Sequence, residues 1–411
     1  MDSGSLRKAV YSTIARPHAR EAAPLLIPGY NARIPIWMII LRISSAFDSG
    51  AIDVLALDPA SDIRLRVRAD NCAEFTQWFH FRLMGAAGQA CRLVFENAGT
   101  CTYADGWRDY RALASYDRQH WFRVPTSYDG HEMVVEITPE RDSIYFAYFE
   151  PYSWERHLSL LGAAETSPLA RVLNLGKTVD GRDLDLAQIG ETDPSKAQVW
   201  VIARQHPGET MAEWFIEGML ERLLDRDDPF SRRLLERAVF HIVPNMNPDG
   251  SVRGNLRTNA AGANLNREWM EPSLLTSPEV FLVRQRMHAT GVNLFIDVHG
   301  DEVIPYNFIS GCEMLPSVSE RQIVLQQQFI AAFKRASPDF QDCYGYEASR
   351  YNQDALKLAS KYVGHHFGCL SLTLEMPFKD NAERPDHELG WSGTRSARLG
   401  AAVLQPMLEV L

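Results

Sequence analysis

In the second half of the chain, short apolar runs keep alternating with segments of helical periodicity. The runs lie at 198–203, 239–243, 293–298 and 369–375, and the helical patterns at 211–224, 278–288 and 319–335, with a last one at 393–411. Strands separated by helices pair in parallel, because the crossover carries the chain back to the end from which it started. The pattern predicts an α/β domain built on a mixed, mostly parallel sheet flanked by helices. Its strands carry ligand-binding groups at their carboxyl ends, where open α/β sheets bind ligands.

The preceding part reads differently. Ile63-Arg64-Leu65-Arg66-Val67-Arg68 alternates strictly, as a half-buried strand does. Further strand-like runs at 78–84, 91–96, 132–138 and 143–149 are separated by turn-forming segments such as Asp105-Gly106 and Asp129-Gly130. They predict an antiparallel β-sandwich over residues 44–155, followed by the α/β domain over 156–411. Val179-Asp180-Gly181-Arg182 reads as a hairpin turn. Residues 1–43 mix Arg, Pro and Ala without periodicity and are expected to be a poorly ordered extension.

Net charge is −10, which argues against nucleic acid or an anionic membrane as the main partner. The apolar stretch at 34–43 is broken by Pro35 and Arg42 and falls short of the roughly 20 residues that span a bilayer. The six cysteines form no C-x-x-C pair and are expected to be reduced thiols in a cytoplasmic protein.

Three His-x-x-Glu pairs occur: His18/Glu21, His206/Glu209 and His299/Glu302. Position separates them. The first lies in the extension. His206 closely follows the run at 198–203, and Pro207-Gly208 turns the chain before a helix. His299 ends Leu294-Phe295-Ile296-Asp297-Val298, and Glu375 ends the run at 369–375. His206, Glu209, His299 and Glu375 can therefore meet at one sheet edge. Two imidazoles and a carboxylate suit Zn²⁺ with a coordination position left open, and a second carboxylate is needed as general base. Glu375 is the candidate base, and Glu302 the rival for either carboxylate role.

Between the histidines lie Asn247-Pro248-Asp249-Gly250, then Arg253-Gly254-Asn255-Leu256-Arg257 and Asn264-Leu265-Asn266-Arg267. This loop-like segment follows the run at 239–243. An arginine can grip a carboxylate through its planar fork, and another can stabilise a developing oxyanion.

Together, His206-Pro207-Gly208-Glu209, Asn247-Pro248-Asp249-Gly250, Asn264-Leu265-Asn266-Arg267, Asp297-Val298-His299-Gly300 and Thr373-Leu374-Glu375 resemble the motifs of the zinc metallocarboxypeptidases, in order. The β-sandwich and the segment Tyr148-Phe149-Glu150-Pro151-Tyr152-Ser153 resemble the cytosolic carboxypeptidase branch. The resemblance implies a carboxypeptidase-like fold and one Zn²⁺ held by His206, Glu209 and His299. It implies that Glu375 is the general base, that Arg257 polarises the scissile carbonyl, with Arg253 as a weaker candidate, and that Asn266 and Arg267 hold the terminal carboxylate. Tyr346 or Tyr351 would cap the substrate, which is a peptide or protein C-terminus. Lys361, with Lys357 beside it, would receive a glutamate side chain. Two rivals remain: a zinc amidase acting on N-acyl amino acids, and a non-catalytic zinc- or peptide-binding module.

Overall fold

The computed structural model describes residues 40–347 and 353–411. Its first part has ten strands: β1 Arg42–Ser44, β2 Asp53–Ala56, β3 Ile63–Arg66, β4 His80–Met84, β5 Cys91–Phe95, β6 Leu113–Ser115, β7 Trp121–Arg123, β8 Thr126–Tyr128, β9 Met133–Ile137 and β10 Ser143–Ala147. They form two five-stranded sheets, ordered β1-β4-β10-β6-β7 and β2-β3-β5-β9-β8. The alternation in β3 buries Ile63 and Leu65 and leaves Arg64 and Arg66 outward, as period two requires. One pairing departs from the antiparallel expectation, since β3 and β5 run parallel. The chain leaves β3 to build β4 in the other sheet before returning, and that excursion restores the original direction.

The second part comprises α1 Trp154–Glu165, β11 Ala170–Lys177, β12 Asp183–Ile189, β13 Ala197–Ala203, α2 Met211–Leu223, α3 Pro229–Arg237, β14 Ala238–Val243, α4 Pro248–Arg253, α5 Pro278–Thr290, β15 Leu294–Asp301, β16 Phe308–Ser310, α6 Glu320–Ala336, α7 Ala359–Phe367, β17 Leu370–Pro377, α8 Gly393–Ala402 and α9 Leu404–Val410. Its seven strands are ordered β11-β12-β14-β13-β15-β17-β16. The pairs β14–β13, β13–β15 and β15–β17 are parallel, and the outer pairs antiparallel. The central strands are almost wholly buried, as strands covered on both faces must be.

Two local readings change. The segment after β14 begins as a short helix, α4. The Asn247 side chain caps it by accepting from Gly250 N, Pro248 occupies its first turn, and Gly254 ends it in the left-handed region at φ 71°. The pattern at 393–411 is two helices, because Pro406 has no N–H for the Ala402 carbonyl four residues back.

One core runs through both parts, with Tyr148 of the sandwich region stacked on Phe378 just beyond β17 at a ring separation of 4.5 Å. Arg123, buried at the same junction, donates to the carbonyls of Phe378 at 2.8 Å and Trp391 at 3.2 Å. All six cysteines are free thiols, and no described helix is long and apolar enough to cross a membrane.

A buried carboxyl gives a stability test of this packing. Glu279 in the first turn of α5 is fully buried. It accepts from Asn259 Nδ2 at 3.1 Å, and its Oε1 has no partner among the described residues. Burial pushes its pKa from the usual 4.5 to about 7. The folded state therefore holds the proton more tightly than the unfolded chain does. This stabilising contribution is complete below pH 4.5 and is lost as pH rises through about 7. Glu279→Gln should gain on the natural chain by about 1–3 kcal/mol across that window, measured as the difference between the two Tm–pH curves.

Candidate metal centre and active site

Register places the site. β15 and β17 pair in parallel with His299 opposite Glu375, and β13 on the other side of β15 ends at Ala203, three residues before His206. Glu209 follows at the start of the turn into α2. The His206 and His299 rings are 4.8 Å apart between centroids. Glu209 lies between them, its Oε1 2.6 Å from His206 Nδ1 and its Oε2 2.7 Å from His299 Nδ1.

The outer nitrogens of both rings meet acceptors. His206 Nε2 is 3.1 Å from Asn264 Oδ1, and His299 Nε2 is 2.9 Å from Asp297 Oδ2. With a cation bound, donation from Nε2 would leave each Nδ1 lone pair facing inward, the tautomer a metal ligand needs. Gln205 braces this layer, donating to Asp297 Oδ2 at 2.8 Å and accepting from Trp269 Nε1 at 2.8 Å.

A metal fits this arrangement. One donor atom each from His206, Glu209 and His299 lies within 4.8 Å of the others, all three buried. Asp297 Oδ1, Glu302 Oε1 and Glu375 Oε2 are buried without a hydrogen-bond partner among the described residues. Carboxylates held out of water are compensated either by protonation or by a nearby cation, and a cation at these three donors would supply the second.

The titrations reflect that crowding. Burial and the Arg257 charge lower His206 to about 4. Burial works to raise Glu209, but the two imidazoles overcome it and hold Glu209 well below the carboxylate range. Burial opposes protonation of His299, yet Asp297 and Glu209 raise it well above the imidazole range. Burial raises Glu375 well above the carboxylate range, and burial together with the Glu209 charge does the same for Glu302.

The site opens into a cavity of about 1190 Å³ lined by His206, Glu209, Arg257, Asn266, Arg267, His299, Glu302, Tyr346, Lys357, Lys361 and Glu375. Arg267 donates to its neighbour's carbonyl at 2.8 Å. Asn266 accepts from Ala359 N at 2.9 Å. The Tyr346 hydroxyl is 2.9 Å from both Glu375 Oε1 and Asp301 Oδ2, while 51% of the residue's surface stays exposed. Lys361 Nζ is 3.5 Å from Ser310 Oγ, and Lys357 pairs with Asp354 at 2.8 Å.

Other candidates lie elsewhere. Arg253 forms a two-pronged pair with Asp180 at 2.8 and 2.9 Å and does not line the cavity. His365 bonds Ser317 and His366 stacks on Tyr362. Tyr351, His18 and Glu21 lie outside the described residues.

The sequence reading missed Asp297, Asn264 and Gln205. Asp297 carried a signal, since residues two apart on a strand share a face and it precedes His299 by two. It also missed Tyr103 of the sandwich region, which lines the cavity and had no local signal.

Comparison with known proteins identifies the family. Residues 43–149 match the model of the cytosolic carboxypeptidase N-terminal domain, and residues 158–389 that of zinc carboxypeptidase. A metallo-carboxypeptidase from Burkholderia cenocepacia is 60% identical, with a TM-score of 0.89 over 90% of this chain and 98% of that one. A metallo-carboxypeptidase from Pseudomonas aeruginosa, solved with (2-guanidinoethylmercapto)succinic acid, is 46% identical, with a TM-score of 0.87 over 89% and 98%. Cytosolic carboxypeptidase 6 of Mus musculus is 27% identical over 372 residues, 82% of this chain and 67% of its own length. With the family model matching more than half of its length around this donor set, the chain belongs to the zinc carboxypeptidase family.

Proposed function

We propose that this protein is a zinc-dependent exopeptidase that removes single residues from free peptide C-termini. The observation that carries the reading is the opening of the His206–Glu209–His299 donor set into one cavity shared with Glu375, Arg257 and Arg267. His206, Glu209 and His299 would hold Zn²⁺, which when bound acts as a Lewis acid and brings the pKa of water to about 7.

The chain's own groups do the rest. Glu375 takes the proton of the attacking water at its carboxylate and returns it to the leaving amine. Arg267, with Asn266, pairs with the terminal carboxylate, which fixes the last peptide bond as the one attacked. Arg257 faces the oxygen on which charge develops. Tyr346 closes over the bound residue and must first release Glu375 and Asp301. In the side-chain end of the cavity, Lys361 reaches only the Ser310 hydroxyl among the described residues. That ammonium suits an acidic terminal side chain, and we assign glutamate as the preferred residue. A second reading has one observation in its favour. The Pseudomonas aeruginosa relative binds a guanidino succinate, and Glu313 lines this cavity too, so a basic side chain is the competing preference.

Adding Zn²⁺ to the chelated protein at 100 times its Kd should raise stability by about 2.7 kcal/mol, read as a Tm shift that is lost in His299→Ala. Glu375→Gln should keep its zinc by metal analysis and lower kcat by about 10²–10⁴-fold. Near-normal turnover in that variant would transfer the base role to Glu302. Peptides differing only in their last residue, each with a C-amidated copy, test the substrate. Amidation should abolish cleavage, and Lys361→Ala should reduce kcat/KM for terminal glutamate and leave terminal leucine unchanged. A preference for arginine or lysine overturns the glutamate assignment alone. Hydrolysis of N-acyl amino acids in preference to peptides would establish the amidase reading, and zinc binding without either activity the non-catalytic one.

A further inference from the structure

The Arg257 loop is held by the β-sandwich. Three consecutive backbone amides point at one carboxylate. Asp70 Oδ1 accepts from Leu256 N at 2.6 Å, and Asp70 Oδ2 from Arg257 N at 2.8 Å, Thr258 N at 2.9 Å and Thr258 Oγ1 at 3.0 Å. Asp70 is 6% exposed, so these bonds face little competition from water. Asn71 extends the attachment. Its N–H donates to Asn255 Oδ1 at 3.2 Å, its Oδ1 accepts from Asn255 Nδ2 at 2.6 Å, and its Nδ2 donates to Ala260 O at 2.7 Å.

The far end of Arg257 is held differently. Its Cζ lies 5.6 Å from the ring centroids of both Phe75 and Tyr103. Among the described residues the guanidinium has no carboxylate within ion-pair distance. Tyr103 is itself fixed through its backbone, with N and O each 3.2 Å from the Gln77 side-chain amide. The distinction matters chemically. A carboxylate partner would orient the guanidinium and also neutralise it. An aromatic face orients it and leaves the charge available to a developing oxyanion.

We propose that Asp70 and Tyr103 are positioning residues for the reaction: Asp70 fixes the backbone from which Arg257 projects, and Tyr103 holds the guanidinium face towards the cavity. The β-sandwich then supplies part of the active site. This rests on the reading of Arg257 as the group that meets the oxyanion.

The test is a set of double-mutant cycles on the full, zinc-loaded chain, reading kcat and KM on a glutamate-terminated peptide together with zinc content and Tm. Asp70→Asn should lower kcat about 10–100-fold with KM changed less than about threefold. Tyr103→Leu should lower kcat about 3–30-fold, and Tyr103→Phe, which keeps the ring face, should stay within about twofold of the natural chain. On top of Arg257→Ala, each of these substitutions should cost less than about a further twofold, because their effect passes through the arginine. Equal losses with and without Arg257→Ala, or unchanged kcat in both Asp70→Asn and Tyr103→Leu, overturn the proposal. Should Asp70→Asn fail to fold, the Tyr103→Leu cycle decides by the same criterion. Arg257→Ala alone with unchanged kcat overturns the reading of Arg257 instead.

Discussion

The parallel register of β13, β15 and β17 is the constraint on which the site depends. It sets His299 beside Glu375 and ends β13 where the His206 loop begins. Because side chains alternate along a strand, sliding β17 by one residue would turn Glu375 away from the cavity and bring an apolar neighbour, Leu374 or Met376, in its place. The register is held by burial on both faces. Leu372, Leu374, Ile296 and Val298 are all buried, so any slip would also carry Glu375 or Asp297 into apolar packing.

The loop carrying His206 and Glu209 needs a separate support, since a turn has no ladder of its own. Arg204 supplies it from an unfavourable conformation, with φ at 55°. Its guanidinium donates twice to the Pro207 carbonyl, at 2.7 and 3.2 Å, and pairs with the buried Glu213 at 2.7 Å. Glu213 also meets His157 Nδ1 at 2.5 Å. A buried ion pair offsets its desolvation cost only when its remaining donors and acceptors are satisfied. Here the carbonyls of Pro207 and Tyr152 complete that satisfaction, so the ion pair and the shape of the loop carrying His206 and Glu209 stand or fall together.

This explains what could be read from the sequence. His206, Glu209, His299 and Glu375 were legible because each sits at or just past an apolar run, and parallel topology brings such ends to one edge. Helix α4 was hidden although its Asn247 cap, Pro248 and Gly254 are a helix signature, because six residues are too few to display a period. The parallel β3–β5 pair was hidden because it depends on an excursion into another sheet. Asp70 and Tyr103 were hidden for the same reason at larger scale. Asp70 is separated from the Arg257 amide by 187 residues, and nothing local marks a side chain whose partner is that far along the chain.

Docking of the sandwich also changes the electrostatics of the site. Gly106 packs so tightly on Glu302 that a Cβ there would lie 2.9 Å from the Glu302 carbonyl oxygen, leaving no room for water between them. Tyr103, Tyr148 and Trp107 extend that wall. Excluding water lowers the local dielectric, and charges then interact more strongly over the same distances. Burial raises Glu302, and the same exclusion of water at the wall would strengthen the attraction between a cation at His206, Glu209 and His299 and the Glu302 carboxylate. A site half open to solvent would need less cation and would also confer less stabilisation on a developing oxyanion. The sandwich contributes by being a wall, and Arg257, resting on its aromatic faces, has no carboxylate partner there among the described residues.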